Sequence, residues 1–319
     1  MLLVLSTLLF GSDCTVPRGG TSLPVQYLAD RFALRIPSTA GPLRFYLDTG
    51  GGANMLFATG VKRLGLTPTP ADGPPGTGTI PAAKVPLPEG VPVFPTADPG
   101  GEPELFVPPS NPEMETEADG PLDGFLGQAW FADRVWMFDY PAHALVGYRD
   151  SVSLGGTACW VGLGFQVDSV GRRTVNFPRV PAVVDGDTLQ FLLDTGAMTR
   201  LADSALVAIA DGGPARRGTS FITESVFRRW QEKHRDWRVI ERAEQGTHAA
   251  MIEVPRVTVG GAEVGPVWFT MRPDRAFHSY MAQWTDRPLD GALGGSAFRT
   301  LAVVIDYPRS RAAFLRRHN

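Results

Sequence analysis

The sequence predicts a mostly β chain built as two corresponding halves, and three observations predict it. The 319 residues include 36 Gly and 28 Pro, a content that fits short strands joined by many turns. Asp-Thr-Gly occurs twice, at Asp48-Thr49-Gly50 and Asp194-Thr195-Gly196, each time directly after an apolar run. Pro121-Leu122-Asp123-Gly124-Phe125-Leu126-Gly127 recurs 167 residues later as Pro288-Leu289-Asp290-Gly291-Ala292-Leu293-Gly294. Phe131 and Phe298 share that offset, as do Asp139-Tyr140-Pro141 and Asp306-Tyr307-Pro308. The two Asp-Thr-Gly sites are 146 residues apart, so the second half carries 21 more residues between its motifs. A single long repeat of this kind reads as a doubled domain, not a solenoid.

Along the chain, Met1 to Phe10 is an apolar run too short to span a bilayer. Residues 1–20 are read as a signal or N-terminal segment, and export is favoured over an ordinary N-terminal strand. Against export stand the lack of a basic residue before Arg18 and of a small-x-small cleavage site. The first half is expected over 21–150, a linker over 151–172 and the second half over 173–319. Phe32 to Ile36 and Leu43 to Leu47 read as a hairpin interrupted by Pro37 and Gly41-Pro42. Residues 67–112, rich in Pro and Gly, suggest irregular connections around a mobile hairpin. Asp185-Gly186-Asp187 between two apolar runs is a tight-turn signal. Val226, Phe227, Trp230 and His234 fall at helical spacing, predicting an amphipathic helix within 222–235 with its apolar stripe on the core. The two Asp-Tyr-Pro segments are expected to close the last strand of each half, their Asp residues forming turns.

Composition excludes several functions. Hydrophobic residues make up 43% and charged residues 20%, and the net charge is -3. Nothing here calls for nucleic acid or an anionic membrane as partner. The two cysteines, Cys14 and Cys159, make neither a metal site nor a disulfide framework. Cys159, inside Ala158-Cys159-Trp160-Val161, reads as a small buried hydrophobe. The five histidines show no i,i+4 ligand pair. Ser296 lacks the final Gly of a nucleophile elbow, and Gly162 with Gly164 makes no dinucleotide loop. No cofactor and no metal are expected.

What remains is the pair of carboxylates. A strand that delivers Asp into a Thr-Gly turn aims that Asp at one point. Two such strands can aim two carboxylates at one point, where sharing a proton lets the pair activate water. One Asp-Thr-Gly arises by chance in roughly one such chain in ten, so two in matching contexts carry weight.

These residues resemble the aspartic protease superfamily, with both retropepsin-like and pepsin-like traits. The chain looks most like bacterial proteins labelled aspartyl protease-like, over about residues 22 to 318. The resemblance rests on the two Asp-Thr-Gly turns and on Phe125-Leu126-Gly127 and Ala292-Leu293-Gly294 after them. It implies two pseudo-twofold-related closed β-barrel domains with an active-site cleft between them. It implies an aspartic endopeptidase in which Asp48 and Asp194 are the catalytic dyad. Thr49 and Thr195 would bond across the interface, and Gly50 and Gly196 would let backbone approach the carboxylates. Gly127 and Gly294 would thread beside the turns. The implied substrate is an extended peptide or protein, and the chain would act as a monomer. The alternative is a catalytically silent peptide-binding or assembly module on the same fold.

Two departures stand out. Pepsin-like enzymes place Ser or Thr directly after Asp-Thr-Gly, where this chain has Gly51 and Ala197. Without those hydroxyls the dyad is expected to hold its proton to higher pH and to work nearer neutrality. No Tyr lies between Tyr46 and Tyr140, so the first half lacks a flap tyrosine. Gly76-Thr77-Gly78 is the candidate flap tip, and Gly246-Thr247-His248 a second candidate in the other half.

Overall fold

The computed structural model describes residues 14–73, 78–85, 104–155 and 159–317. Strand takes 41% and helix 17%, in line with the turn-rich composition.

Phe32–Ile36 and Leu43–Leu47 pair antiparallel, Phe32 opposite Leu47 and Ile36 opposite Leu43. Successive side chains point to opposite faces, and both faces are covered. Phe32, Leu34, Ile36, Phe45 and Leu47 join the main core, while Ala33 and Tyr46 pack with Leu28, Phe57, Leu122 and Phe125. Burial on both sides explains why the run Phe45-Tyr46-Leu47 is apolar throughout. Gly124–Leu126 lies parallel beside it, with Tyr46 opposite Phe125 and Leu47 opposite Leu126. Met55–Leu56 follows antiparallel, then Glu104–Phe106 parallel.

The second half repeats this order of neighbours. Arg179–Val184 and Asp187–Asp194 form a hairpin around Asp185 and Gly186, whose φ values of 53° and 86° suit that tight turn. Gly291–Gly294 runs parallel beside it with Asp194 opposite Gly294. Ser220–Thr223 comes next, antiparallel, then Val267–Arg272, parallel. A strand that must lie between neighbours on both sides presents its last residue at a fixed height. The parallel pairings therefore bring Asp48 and Asp194 to the ends of two equivalent strands.

A six-stranded sheet joins the halves. Its central pair is Val135–Asp139 against Leu301–Asp306, with Met137 opposite Val304. Those two residues are 167 apart, so each faces its own counterpart. Exchanging the halves maps the pair Val135↔Asp306 onto Ala302↔Asp139, and both pairs occur. Trp136, Phe138, Val303 and Ile305 face the main core, while Val135, Met137, Ala302 and Val304 face the opposite side. That opposite side is covered by Leu154 and Cys159, with Cys14, Val16, Val152 and Trp160 against them.

Several expectations need correction. Cys159 is buried, but it is no free hydrophobe: it is disulfide-bonded to Cys14, 145 residues away. A pairing at that separation leaves no local trace in the sequence. The Asp-Tyr-Pro segments do not close the last strand of each half. Each turns the chain into one more strand, Ala144–Tyr148 and Arg311–Arg316, which pairs back on its predecessor. Their Asp residues do form the turns: Asp139 Oδ1 accepts the Ala142 amide at 3.1 Å and Asp306 Oδ1 the Arg309 amide at 3.2 Å. Among the described residues the sheets run as open strand orders, and none closes into a barrel. Within the expected linker, Val161–Gly162 is a strand paired with Arg311–Arg316.

The helix spans Glu224–Lys233, inside its predicted range, and buries Val226, Phe227 and Trp230. His234 follows it, stacked on Trp237 at 4.1 Å and bonded to Asp185 at 2.7 Å. Thr69–Asp72 and Thr79–Lys84 form a hairpin closed by the Gly73 amide on the Gly78 carbonyl at 2.8 Å. The predicted flap residues Gly76 and Thr77 lie outside the described residues; Gly78 stands at the hairpin's edge with φ 69°. In the other half Gly246-Thr247-His248 forms a turn in which the Thr247 hydroxyl donates to Glu244.

Candidate active site

The two Asp-Thr-Gly turns meet. Asp48 ends its strand with its amide donating to the Leu126 carbonyl at 3.0 Å, and the Gly51 amide closes the turn on the Asp48 carbonyl at 3.2 Å. The Ala197 amide closes the second turn on the Asp194 carbonyl at the same 3.2 Å. Within each turn the Gly amide reaches back to the carboxylate: Gly50 to Asp48 Oδ1 at 2.8 Å and Gly196 to Asp194 Oδ1 at 3.2 Å.

The glycines matter because each faces the opposite carboxylate. A β-carbon on Gly50 would lie 2.6 Å from Asp194 Cγ, and one on Gly196 would lie 2.2 Å from Asp48 Cγ. Both distances are far inside van der Waals contact, so only glycine lets the turns approach this closely.

The threonines lock the turns together. The Thr195 amide donates to Thr49 Oγ1 at 3.0 Å, and the Thr49 amide donates to Thr195 Oγ1 at 3.2 Å. Thr49 Oγ1 in turn donates to the Leu193 carbonyl at 2.6 Å. Thr49 and Thr195 are both buried, so each bond counts against the desolvation of its polar atoms.

Gly127 and Gly294 flank the turns from outside. A β-carbon on Gly127 would fall 2.8 Å from the Gly51 carbonyl oxygen, and one on Gly294 only 1.8 Å from that of Thr219. Their amides are held by Asn54 Oδ1 at 2.9 Å and Ser220 Oγ at 3.1 Å. The structure thus brings together Asp48, Thr49, Gly50, Gly127, Asp194, Thr195, Gly196 and Gly294.

Gly51 has a local cause. A β-carbon there would meet Phe125 Cζ at 2.2 Å, so the ring that follows Gly124 occupies the space a side chain would need. Ala197 is buried, 2.9 Å from a β-carbon placed on Gly294. Neither position supplies a hydroxyl to the carboxylates.

The electrostatics are uneven across the pair. Asp194 is buried, with 9% of its surface exposed, and Asp48 is half-buried. Each carboxyl lies against the glycine of the opposite turn, so the two are close enough to interact directly. Burial raises both above the usual carboxylate range, because a charged form loses its hydration there. Asp194 rises well above it, pushed further by the adjacent Asp48 charge. On Asp48 that rise is opposed by the Asp194 carboxyl and the amides of Gly50, Gly196 and Gly51, which all favour its ionised form. Two adjacent carboxyls that are both raised can share one proton, and such a pair can orient and activate a water between them.

Residues not foreseen from sequence surround the turns. The Tyr46 hydroxyl donates to the Gly196 carbonyl at 2.6 Å. Arg31 sits over the Tyr46 ring at 5.6 Å and forks onto Glu117 at 2.8 and 3.2 Å. Arg216, from the other half, donates to the same Glu117 Oε1 at 2.9 Å. Tyr46 was visible only as a polar tip inside an apolar run; Arg31 and Glu117 gave no signal. No three His, Cys, Asp or Glu side chains gather as a metal site among the described residues.

A scan against family models gave no match, and a search of curated proteins gave none. Among solved structures, the crystal structure of aspartic proteinase from Irpex lacteus is similar, with a TM-score of 0.51 and 11% sequence identity. The likeness covers 93% of this chain and 97% of that one. The chain therefore has the aspartic-proteinase fold.

Proposed function

We propose that the chain is an aspartic endopeptidase in which Asp48 and Asp194 activate water. One observation carries the reading: each turn's glycine leaves room for the opposing carboxyl, a β-carbon on Gly50 falling 2.6 Å from Asp194 Cγ and one on Gly196 2.2 Å from Asp48 Cγ. That closeness also weighs against a silent binding module on the same fold.

In the proposed reaction, water attacks the scissile carbonyl carbon and gives a proton to ionised Asp48. Asp194 gives its proton to the carbonyl oxygen, leaving a neutral gem-diol and an ionised Asp194. Asp48 then protonates the leaving nitrogen, Asp194 takes back a diol proton, and the C–N bond breaks. Both carboxyls return to their starting states, so no cofactor is needed. An extended peptide would lie between halves 21–150 and 173–319 and pair with strand edges. One chain supplies both carboxylates, which fits a monomer. The Cys14–Cys159 bond fits an oxidising compartment and hence export.

The test compares wild type with Asp48→Asn and Asp194→Asn on a mixed peptide library, with a statine-type inhibitor as control. Cleavage by wild type alone, blocked by the inhibitor, is the expected result. Equal cleavage by all three proteins would end the reading.

A further inference from the structure

We infer that Tyr46 is a positioning residue that loosens the hold of Asp194 on the shared proton, acting on Asp194 through the Gly196–Ala197 peptide. The inference rests on the dyad reading above.

Three observations carry it. First, the Tyr46 hydroxyl donates at 2.6 Å to the carbonyl oxygen of Gly196, across the two halves. That carbonyl belongs to the same peptide unit as the Ala197 amide. The Gly196 amide donates to Asp194 Oδ1 at 3.2 Å; the Ala197 amide closes the turn on the Asp194 carbonyl at 3.2 Å and from there also favours the ionised carboxyl. Hydrogen bonds in a chain polarise one another, so a donor on the Gly196 carbonyl strengthens the Ala197 amide as a donor to Asp194. Second, the contact is one-sided. The residue two before Asp194 is Leu192, buried against Phe177, Phe277 and Leu289, and leucine has no hydroxyl to offer Gly50. Two otherwise equivalent turns therefore differ at this point. Third, Tyr46 is itself held in place. Its ring stacks on Phe125 at 5.9 Å, and Arg31 lies over it at 5.6 Å. Glu117 fixes Arg31, and Arg31 Nη1 also reaches Met198 Sδ at 3.5 Å, two residues past Gly196. A side chain only 5% exposed with a single short bond to a catalytic turn has little freedom to do anything else.

The groups facing the pair are few among the described residues. Tyr46 and Arg31 approach from one side, Tyr140 interacts with Asp194, and Tyr307 with Asp48. Burial keeps the Tyr46, Tyr140 and Tyr307 phenols protonated far beyond neutrality, so Tyr46 donates at every pH where the carboxyls titrate. Losing this donor weakens support for ionised Asp194. The proton then stays on Asp194 to higher pH.

The experiment is a titration of 13Cγ-labelled Asp followed by carbon NMR in wild type and Tyr46→Phe, with Asp48→Asn and Asp194→Asn assigning the two signals. The upper step is expected to move up by about one pH unit in Tyr46→Phe. Kinetics on the cleaved peptide should show the alkaline limb of kcat shifted up by the same amount, with KM little changed. A second variant, 3-fluorotyrosine at position 46, keeps the shape and donates more strongly, and should move the upper step down. A titration unchanged in both variants overturns the inference, as does a shift of the same sign in both. The NMR readout needs no turnover. Should the Asp→Asn proteins still cleave peptides, the dyad reading fails while the coupling of Tyr46 to Asp194 is still read.

Discussion

Gly196 faces Asp48 so closely that a β-carbon on it would stand 2.2 Å from the Asp48 carboxyl carbon and 2.5 Å from its β-carbon. Gly52, two residues beyond Gly50, has nothing within 4 Å of such an atom. Gly196→Ala must therefore displace Asp48, while Gly52→Ala need not. A misplacement near 1 Å at a reacting group can lower the rate about 10²-fold. Gly196→Ala is expected to lose at least that much in kcat/KM, with Gly52→Ala near wild type. Equal activity of the two, measured on one peptide, would contradict this packing.

The rate of cleavage should peak nearer neutrality than acid. The active state holds one proton on the pair, so the window opens at the lower apparent pKa and closes at the upper. Burial raises both carboxyls, and neither Gly51 nor Ala197 offers a hydroxyl to offset it. The window shifts upward as a whole. A pH–rate profile with its maximum below about pH 4 would refute this.

Stability should carry the opposite signature. Unfolded Asp titrates near about 3.9, while both carboxyls stay protonated to higher pH in the fold. Below about pH 3 both states are fully protonated and the pair costs nothing. As pH rises past the unfolded value, the unfolded chain releases protons that the fold retains, so stability falls until the folded pair has titrated. Asp194→Asn removes the group raised most. The variant is expected to melt higher than wild type at neutral pH and at the same temperature near pH 3. Thermal unfolding scans across that range check it; a variant less stable at neutral pH would be the contrary outcome.

How much of this was legible follows from the range of each interaction. The hairpin Phe32 to Leu47 was readable because apolar runs and the Gly41-Pro42 break act between near neighbours. The helix Glu224–Lys233 was readable because Val226, Phe227 and Trp230 repeat at its own period. The meeting of Asp48 and Asp194 was suggested by two matching turns, each with a later Gly segment. The bond from Tyr46 to Gly196 spans 150 residues, that from Arg31 to Glu117 spans 86, and the disulfide spans 145. Nothing in a periodic pattern marks such partners, since each is fixed only when separate strands are brought together. Gly51 was noticed for the hydroxyl it lacks, whereas its cause, the Phe125 ring, belongs to the strand beside it.

The disulfide should contribute strongly to stability. Cys14 and Cys159 lie against Leu154 and the outer side of the six-stranded sheet, and their bond closes a loop of 145 residues. Restricting the unfolded chain over so long a loop is worth about 2–5 kcal/mol. Cys159→Ser is expected to lose that amount in chemical unfolding. Wild type in dithiothreitol should approach the variant, and the double variant Cys14→Ser/Cys159→Ser should ignore the reductant. A wild type insensitive to complete reduction would show that the bond does not hold this face.

Glu117 should be more costly to remove than either arginine it binds. The residue is 6% exposed, and its carboxylate accepts from buried Arg31 of its own half and from Arg216 of the other. Glu117→Leu leaves Arg31, 1% exposed, without its charge partner, and stranding a buried charge costs about 3–5 kcal/mol. Arg31→Met leaves Glu117 still paired with Arg216, so the loss is smaller. Arg31→Met combined with Glu117→Leu removes both buried charges and should recover part of the loss. Urea unfolding of the three proteins reads the order directly. The order matters for the site as well, because Arg31 lies on the Tyr46 ring and Tyr46 holds the Gly196 carbonyl. Glu117→Leu should therefore lower kcat together with stability, whereas an equally destabilising change far from this chain of contacts, Cys159→Ser, should leave kcat near wild type below its melting range. Loss of kcat in both variants to the same extent would reduce Glu117 to a purely structural residue.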